Sequence, residues 1–253
     1  MNFMSSQAIQ QRKYIMHAAH PTVGVSIAQL ARGFAYGIVR TTNVQAVVSP
    51  KDYWLAMRLE NYLADYLGDN YSQYSLDWHC LAIKAKPMAL DSIGAHESDC
   101  LVLFGHPAVM NAKALELIRD YWQRGGSLVG IRIADFALQG VGGLASEMFG
   151  GEYQAEHLLV PAKISALPDA RYHPLLRGIR PFILTGGIHR YNLMPSEGTP
   201  ILFASVAGET LPVAWVRASR ERRIFATTLG SAADFRHPCF LRLMANAILW
   251  TSR

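Results

Sequence analysis

From residue 43 onward the apolar positions follow two alternating periods. Residues 44–48 form a short valine-rich run that ends at Ser49-Pro50, and residues 52–67 then place Trp54, Leu55, Leu59, Tyr62, Leu63 and Tyr66 at helical spacing. The pattern predicts a strand, a turn and a helix, with Gly68-Asp69-Asn70 stopping the helix. Residues 74–78 form a candidate second strand, and the apolar run at 99–104 suits a strand buried on both faces. A helix over 111–123 follows, with Ala114, Leu117, Ile118 and Tyr121 on one face, and Arg124-Gly125-Gly126 closes it ahead of a strand at 127–133. Strands alternating with helices of this length predict an α/β fold: a doubly wound, mostly parallel, flavodoxin-like sheet with helices on both faces. Its ligand crevice would lie outside the carboxyl ends of the strands.

Beyond Gly140 the pattern loosens. A short helix at 144–149 leads into Gly150-Gly151 and a stretch without clear period up to Pro161. Strands near 200–205, 211–217 and 223–229 are expected to be partly antiparallel, and a last helix at 238–250 presents Phe240, Leu243, Met244, Ala247 and Ile248 to the sheet. The first part of the chain has helical spacing at 5–20 and at 26–40, where Ile27, Leu30, Ala31, Phe34 and Ile38 share a face. The expected organisation is an N-terminal helical extension, 1–42, followed by one α/β domain, 43–253.

Composition narrows the function classes. Hydrophobic residues make up 51% of the chain, enough for a full core. Lys and Arg outnumber Asp and Glu by 24 to 19, but they are scattered except at 217–223, which reads as a solvated turn before a strand. No basic stripe or aromatic-interleaved motif accompanies that turn, so no nucleic-acid partner is expected. Cys80, Cys100 and Cys239 are far apart with no CxxC pair, which argues against a disulfide framework or structural zinc and fits a reducing cytoplasm. No apolar run reaches the roughly 18 residues that a membrane span needs, and polar residues interrupt 1–20, so neither membrane insertion nor export is expected.

Several segments, in order, carry a resemblance. They are Asp99-Cys-Leu-Val-Leu-Phe-Gly, Tyr121-Trp-Gln-Arg-Gly-Gly-Ser-Leu-Val-Gly-Ile-Arg, Phe149-Gly-Gly-Glu-Tyr-Gln-Ala-Glu-His, His173-Pro-Leu-Leu-Arg-Gly-Ile and Pro212-Val-Ala-Trp-Val-Arg. Arg223-Ile-Phe-Ala-Thr-Thr-Leu-Gly and the segment from Asp234-Phe-Arg-His-Pro to Trp250 complete the set. On these residues the chain resembles the ThuA-like (trehalose utilisation) family of the class I glutamine amidotransferase-like superfamily. Two departures stand out: Arg132 occupies a position where many relatives carry histidine, and Ser231 replaces the histidine that often ends the late strand. Related amidotransferases place a nucleophilic cysteine in the strand-to-helix elbow at the Arg132 position. Here the elbow reads Gly130-Ile-Arg-Ile-Ala, so Cys-dependent glutamine hydrolysis is not expected.

The ends of the predicted strands select Ser49, His106, Arg132, Asp135 and residues 231–234, and the resemblance adds His157, His189 and Tyr191. Arg132, on an otherwise apolar strand, needs an anionic or hydroxyl ligand or an internal pair with Asp135 or Asp234. His157, Asp234 and His106 are the candidate catalytic acids or bases. Each also has a plainer reading: a backbone hydrogen bond for His157, an N-cap of the last helix for Asp234, and a loop cap ahead of Pro107 for His106. Arg132, His189, Tyr191 and Ser231 form the candidate substrate-binding set, with His189 and Tyr191 suited to a sugar ring or else to a surface loop. His173 and His237 precede prolines and read as turn-shaping residues.

No HxH or HxxxH spacing occurs, so neither a metal nor another cofactor is expected; a divalent ion would depend on tertiary proximity of His106, His157 and His189. The resemblance implies an enzyme of carbohydrate metabolism, with a sugar-like small molecule as partner. Its reaction would be hydrolysis or isomerisation of a sugar or oxidised sugar by general acid/base chemistry. The alternative is a non-catalytic ligand-binding or assembly domain that kept the scaffold after losing the nucleophile. A homodimer is the base-rate expectation for assembly.

Overall fold

The computed structural model describes residues 40–71, 74–82, 98–105, 112–134, 142–158, 161–193, 196–219 and 222–252. The first elements are β1 (Arg40–Val48), α1 (Tyr53–Asn70), β2 (Tyr74–Ala82), β3 (Cys100–Phe104), α2 (Ala112–Gln123), β4 (Leu128–Ile131) and α3 (Gly142–Phe149). They are followed by β5 (Glu152–Leu158), β6 (Ala162–Ala166), β7 (Phe182–Leu184), β8 (Ile188–Asn192), β9 (Thr199–Val206), β10 (Glu209–Ala218), β11 (Arg223–Thr227) and α4 (Pro238–Thr251).

One mixed sheet has the order β2-β1-β3-β4-β11-β10-β9-β6-β7. The run from β2 to β11 is parallel, and every pairing from β11 onward to β7 is antiparallel. Side chains alternate across the parallel core as a pleated strand requires. Cys100, Val102 and Phe104 of β3 join the cluster formed with α1 and α4, whereas Leu101 and Leu103 join the cluster formed with α2 and α3. Burial on both faces explains why β3 and β4 read as unbroken apolar runs.

The chain leaves β1 toward β2 on one side and later enters β3 on the other. This reversal of strand order is a topological switch point, and sheets of this kind bind ligands at the carboxyl ends of the strands there, here β1 and β3.

Three expectations change. Helix α1 continues through Gly68 to Asn70, because Gly68 stands in open space and the Tyr71 N–H still closes on the Leu67 carbonyl at 2.8 Å. The stretch after Gly150-Gly151 and the aromatic segment 188–192 are strands rather than loops: β5 and β8 pair antiparallel as a separate two-stranded sheet. A register shift between Tyr153 and His157 breaks the period-2 alternation there, which hides β5 from periodicity. β6 and β7 are too short to show a period. The helix expected at 5–20 and residues 26–39 of the one expected at 26–40 lie outside the described residues; its last residue, Arg40, begins β1 instead. No helix of the described residues is long and apolar enough to cross a membrane.

Candidate active site at the strand ends

Arg132 follows β4 directly and adopts φ +56°, a left-handed conformation that costs a residue with a Cβ about 1–2 kcal/mol. Neighbouring strand ends clamp this elbow in place. The Arg132 N–H donates to the Leu229 carbonyl at 3.0 Å, the Ile133 N–H to Thr227 at 3.1 Å, and the Gly105 N–H to the Ile131 carbonyl at 2.7 Å. Gly105, just past β3, lies so close that a Cβ there would fall on the Arg132 carbonyl oxygen. Strained backbone held by its surroundings is concentrated at functional sites.

The guanidinium finds a partner that sequence reasoning missed. Arg132 Nη1 lies 3.7 Å from Asp52 Oδ1, with the two side chains 27% and 11% exposed. Asp52 sits at the N-cap position of α1 but makes no side-chain cap bond. Its Oδ2 instead accepts from the Ser49 hydroxyl at 3.1 Å, and that hydroxyl accepts from the Asp52 N–H at 3.2 Å. The Ser-Pro-Lys-Asp turn after β1 was the available signal; an aspartate there reads as a helix cap until the fold brings β4 beside it.

Asp234, in the turn after β11, is 1% exposed. Its Oδ2 accepts from the N–H groups of Gly230 at 2.8 Å and Ser231 at 2.9 Å, while the Ser231 hydroxyl accepts from the Asp234 N–H at 3.2 Å. Oδ1 is buried with no hydrogen-bond partner among the described residues. Burial pushes the carboxyl pKa above the usual carboxylate range; the Gly230 and Ser231 N–H groups, the Ser231 side chain and the Arg132 charge act against that rise. Gly230, whose N–H Asp234 holds, packs so closely on Arg132 that a Cβ there would meet its Cγ, which brings the two groups into one site. Gly186 packs against the pair so tightly that a Cβ would meet the Ser231 hydroxyl and Asp234 Oδ1.

Asp234 therefore holds the 230–231 turn and does not cap α4. That cap is His237, whose Nδ1 accepts from the Cys239 N–H at 3.1 Å ahead of Pro238. His173 does the same for the short helix Pro174–Leu176, accepting from the Leu175 N–H at 3.3 Å. Phe235 anchors the turn instead, stacked on Phe104 and edge-on to Phe240. Arg58 of α1 ties the same turn to the first crossover by donating from Nε to the Phe235 carbonyl at 2.8 Å.

Ser49, Asp52, Arg132, Ser231 and Asp234 thus line the strand ends together. His189 lies on β8, three residues from Gly186, with its ring 5.7 Å from that of Tyr153. Tyr191 is 4% exposed and packed on Trp215 and Tyr153, and burial raises its pKa; its ring faces core side chains and is not open to a sugar. The His157 backbone pairs with His189 across β5 and β8, while its imidazole lies outside the described side chains. His106 and Asp135 lie outside the described residues. Burial pushes the Cys80 and Cys100 thiols up to about 12, which leaves them protonated and poorly nucleophilic. Among the described residues no group of three His, Cys, Asp or Glu side chains is arranged to hold a metal ion.

A switch-point crevice in a doubly wound α/β sheet, with a strained elbow at one strand end, defines the class of fold. The family described as ThuA, trehalose utilisation, matches residues 86–251, and the chain belongs to it. Among solved structures, a ThuA-like protein from Parabacteroides merdae superposes with TM-score 0.59 at 12% identity, over 84% of this chain and 90% of that one. A ThuA-like protein from Bacteroides uniformis gives 0.57 at 14% identity, over 85% and 93%. A β-galactosidase from Halorubrum lacusprofundi gives 0.52 at 11% identity, over 82% of this chain but 30% of that one. No curated protein matches.

Proposed function

We propose that this ThuA-family protein is an enzyme acting on a sugar or oxidised sugar, by hydrolysis or isomerisation through general acid/base chemistry in the crevice. The observation that carries the reading is the elbow itself: a strained Arg132, clamped by two neighbouring strands, in one site with the buried Asp234 carboxyl. Arg132 supplies N–H donors to a substrate carboxylate or hydroxyl, and Asp52 fixes its orientation. Asp234 has one oxygen committed to backbone donors and the other without a protein partner among the described residues. A carboxyl whose pKa burial has raised is suited to holding and returning a proton. His157 and His106 are the further acid/base candidates, with His189 and Ser231 completing the substrate contacts. The family's description, trehalose utilisation, supports a carbohydrate-like ligand.

The test is a panel of sugars, keto-sugars and sugar acids incubated with wild type, Arg132→Gln, Asp234→Asn and His157→Ala, with turnover followed by NMR and binding by calorimetry. Turnover of one panel member, reduced at least about 100-fold in Asp234→Asn or His157→Ala while binding persists, is the expected result. Binding that is sensitive to Arg132→Gln but accompanied by no turnover would replace the enzyme reading with that of a ligand-binding domain.

A further inference from the structure

Arg217, Arg222 and Arg223, which flank the turn between β10 and β11, are each partly buried. Arg222 lies over the Trp122 ring, 4.8 Å from its centre, and Arg223 lies over that of Trp250 at 5.4 Å. Arg222 and Arg217 together line a cavity of about 320 Å³ at the amino ends of β9 and β11. This is the end of the sheet opposite Arg132, because β11 runs parallel to β4 and Ile224 pairs with Leu128. The volume is at the lower end of the range for small-molecule sites.

The helices on one face of the sheet fix both cations. Arg217 donates from Nη1 to the carbonyls of Glu147 and Met148 at 2.7 Å each, in the last turn of α3. Arg222 donates from Nη1 to the Trp122 carbonyl at 3.0 Å, near the end of α2. These bonds leave Nε and Nη2 of each guanidinium without a partner among the described residues. Burial, and after it the neighbouring Arg222 charge, lowers the Arg217 pKa, so the two cations repel across partly desolvated space. Glu197, on the same wall, offsets one of the two charges and is itself engaged as acceptor from the Gly151 N–H at 3.2 Å. Arg217, Arg222 and Glu197 together therefore carry a net positive charge, with surplus guanidinium donors held in place before any ligand arrives. Exposed Ser196 and Thr199 add hydroxyls at the mouth.

We propose that this cavity binds the phosphate group of a small phosphorylated metabolite, held by the Nε and Nη2 donors of Arg217 and Arg222. A doubly charged oxyanion satisfies both guanidiniums at once and removes their mutual repulsion, and charge-assisted hydrogen bonds to a phosphate are strong. The recess leaves room for a short polyol or sugar body beside Trp122 and Glu197. A nucleic-acid backbone fits less well, since the cations line a single recess of about 320 Å³ and do not form a stripe. The site is separate from the Arg132 crevice and does not depend on the reading given to that crevice.

The test is calorimetric titration at low ionic strength with inorganic phosphate, glycerol 3-phosphate and succinate, on wild type and three variants. Arg222→Gln removes one cation. Thr199→Glu places a carboxylate at the exposed mouth without touching either arginine's carbonyl bonds, so it reads the site even where an arginine variant folds poorly. Arg132→Gln reports on the crevice. The expected result is saturable binding of the phosphate ester, tighter than inorganic phosphate or succinate. Arg222→Gln and Thr199→Glu should each weaken it at least about tenfold, and Arg132→Gln should leave it unchanged. Binding that survives both cavity variants, or that is lost in Arg132→Gln, would overturn the assignment. No binding of any of the three anions would overturn it as well, and a preference for succinate would overturn the ligand class.

Discussion

Substituting Arg132 by alanine and by glycine, side by side, isolates the backbone strain at the elbow. Both changes remove the guanidinium and its 3.7 Å pair with Asp52 equally, so the loss of that pair cancels in the comparison. What remains is the Cβ. At φ +56° a Cβ costs about 1–2 kcal/mol, which glycine avoids. Glycine's greater freedom in the unfolded chain gives back about 0.4–1 kcal/mol. The balance leaves the glycine variant more stable than the alanine variant by about 0.5–1 kcal/mol, or about 1–4 °C in Tm for a domain of this size. Urea denaturation followed by tryptophan fluorescence measures the difference directly, provided the two m-values agree so that midpoints report stability alone. Equal midpoints, or a less stable glycine variant, would mean that the elbow stores no strain, and the main structural argument for a site at Arg132 would fall with it.

Other outcomes follow from neighbouring contacts. Gly105→Ala places a methyl group on the Arg132 carbonyl and should cost about 1–3 kcal/mol, whereas Gly68→Ala, in open space on α1, should stabilise by about 0.5–1 kcal/mol; thermal melts of the pair distinguish close approach from a general glycine effect. Asp234 has a folded-state pKa raised by burial, so its contribution to stability is fully present below the unfolded pKa of about 3.9 and is lost as pH rises through the folded value. The stability of Asp234→Asn relative to wild type should therefore improve as pH rises from about 4, and a difference constant with pH would contradict the assignment. His237→Ala should lower stability by about 0.5–2 kcal/mol through loss of the cap on Cys239 N–H, with Gly or Asn at 237 recovering part of it in the same melts.

The parallel half of the sheet was legible because its strands are buried on both faces and its helices on one, so burial writes itself into the residue pattern as runs and stripes. The same logic places Arg132 and residues 231–234 just past strand ends, and in the structure they do follow β4 and β11. The segment from Gly150 to Asn192 was not legible: β5 carries a register shift, β7 has three residues, and neither provides enough alternation to be read. Tyr191 illustrates the limit for single residues. An amphipathic aromatic beside a histidine suits a sugar platform, yet packing against Trp215 makes it core.

The amino-acid sequence by itself determined the family, the order of the central elements, the absence of a cysteine at the elbow and the presence of an arginine there. Tertiary structure alone decided which groups meet. It brought Asp52 of one crossover to Arg132 of another, turned Asp234 back onto the 230–231 turn, and gathered Arg217 and Arg222 around a cavity. Periodicity is a local property, set by which face of one element is buried. A site is made of contacts between residues far apart in the chain, and their spacing carries no period.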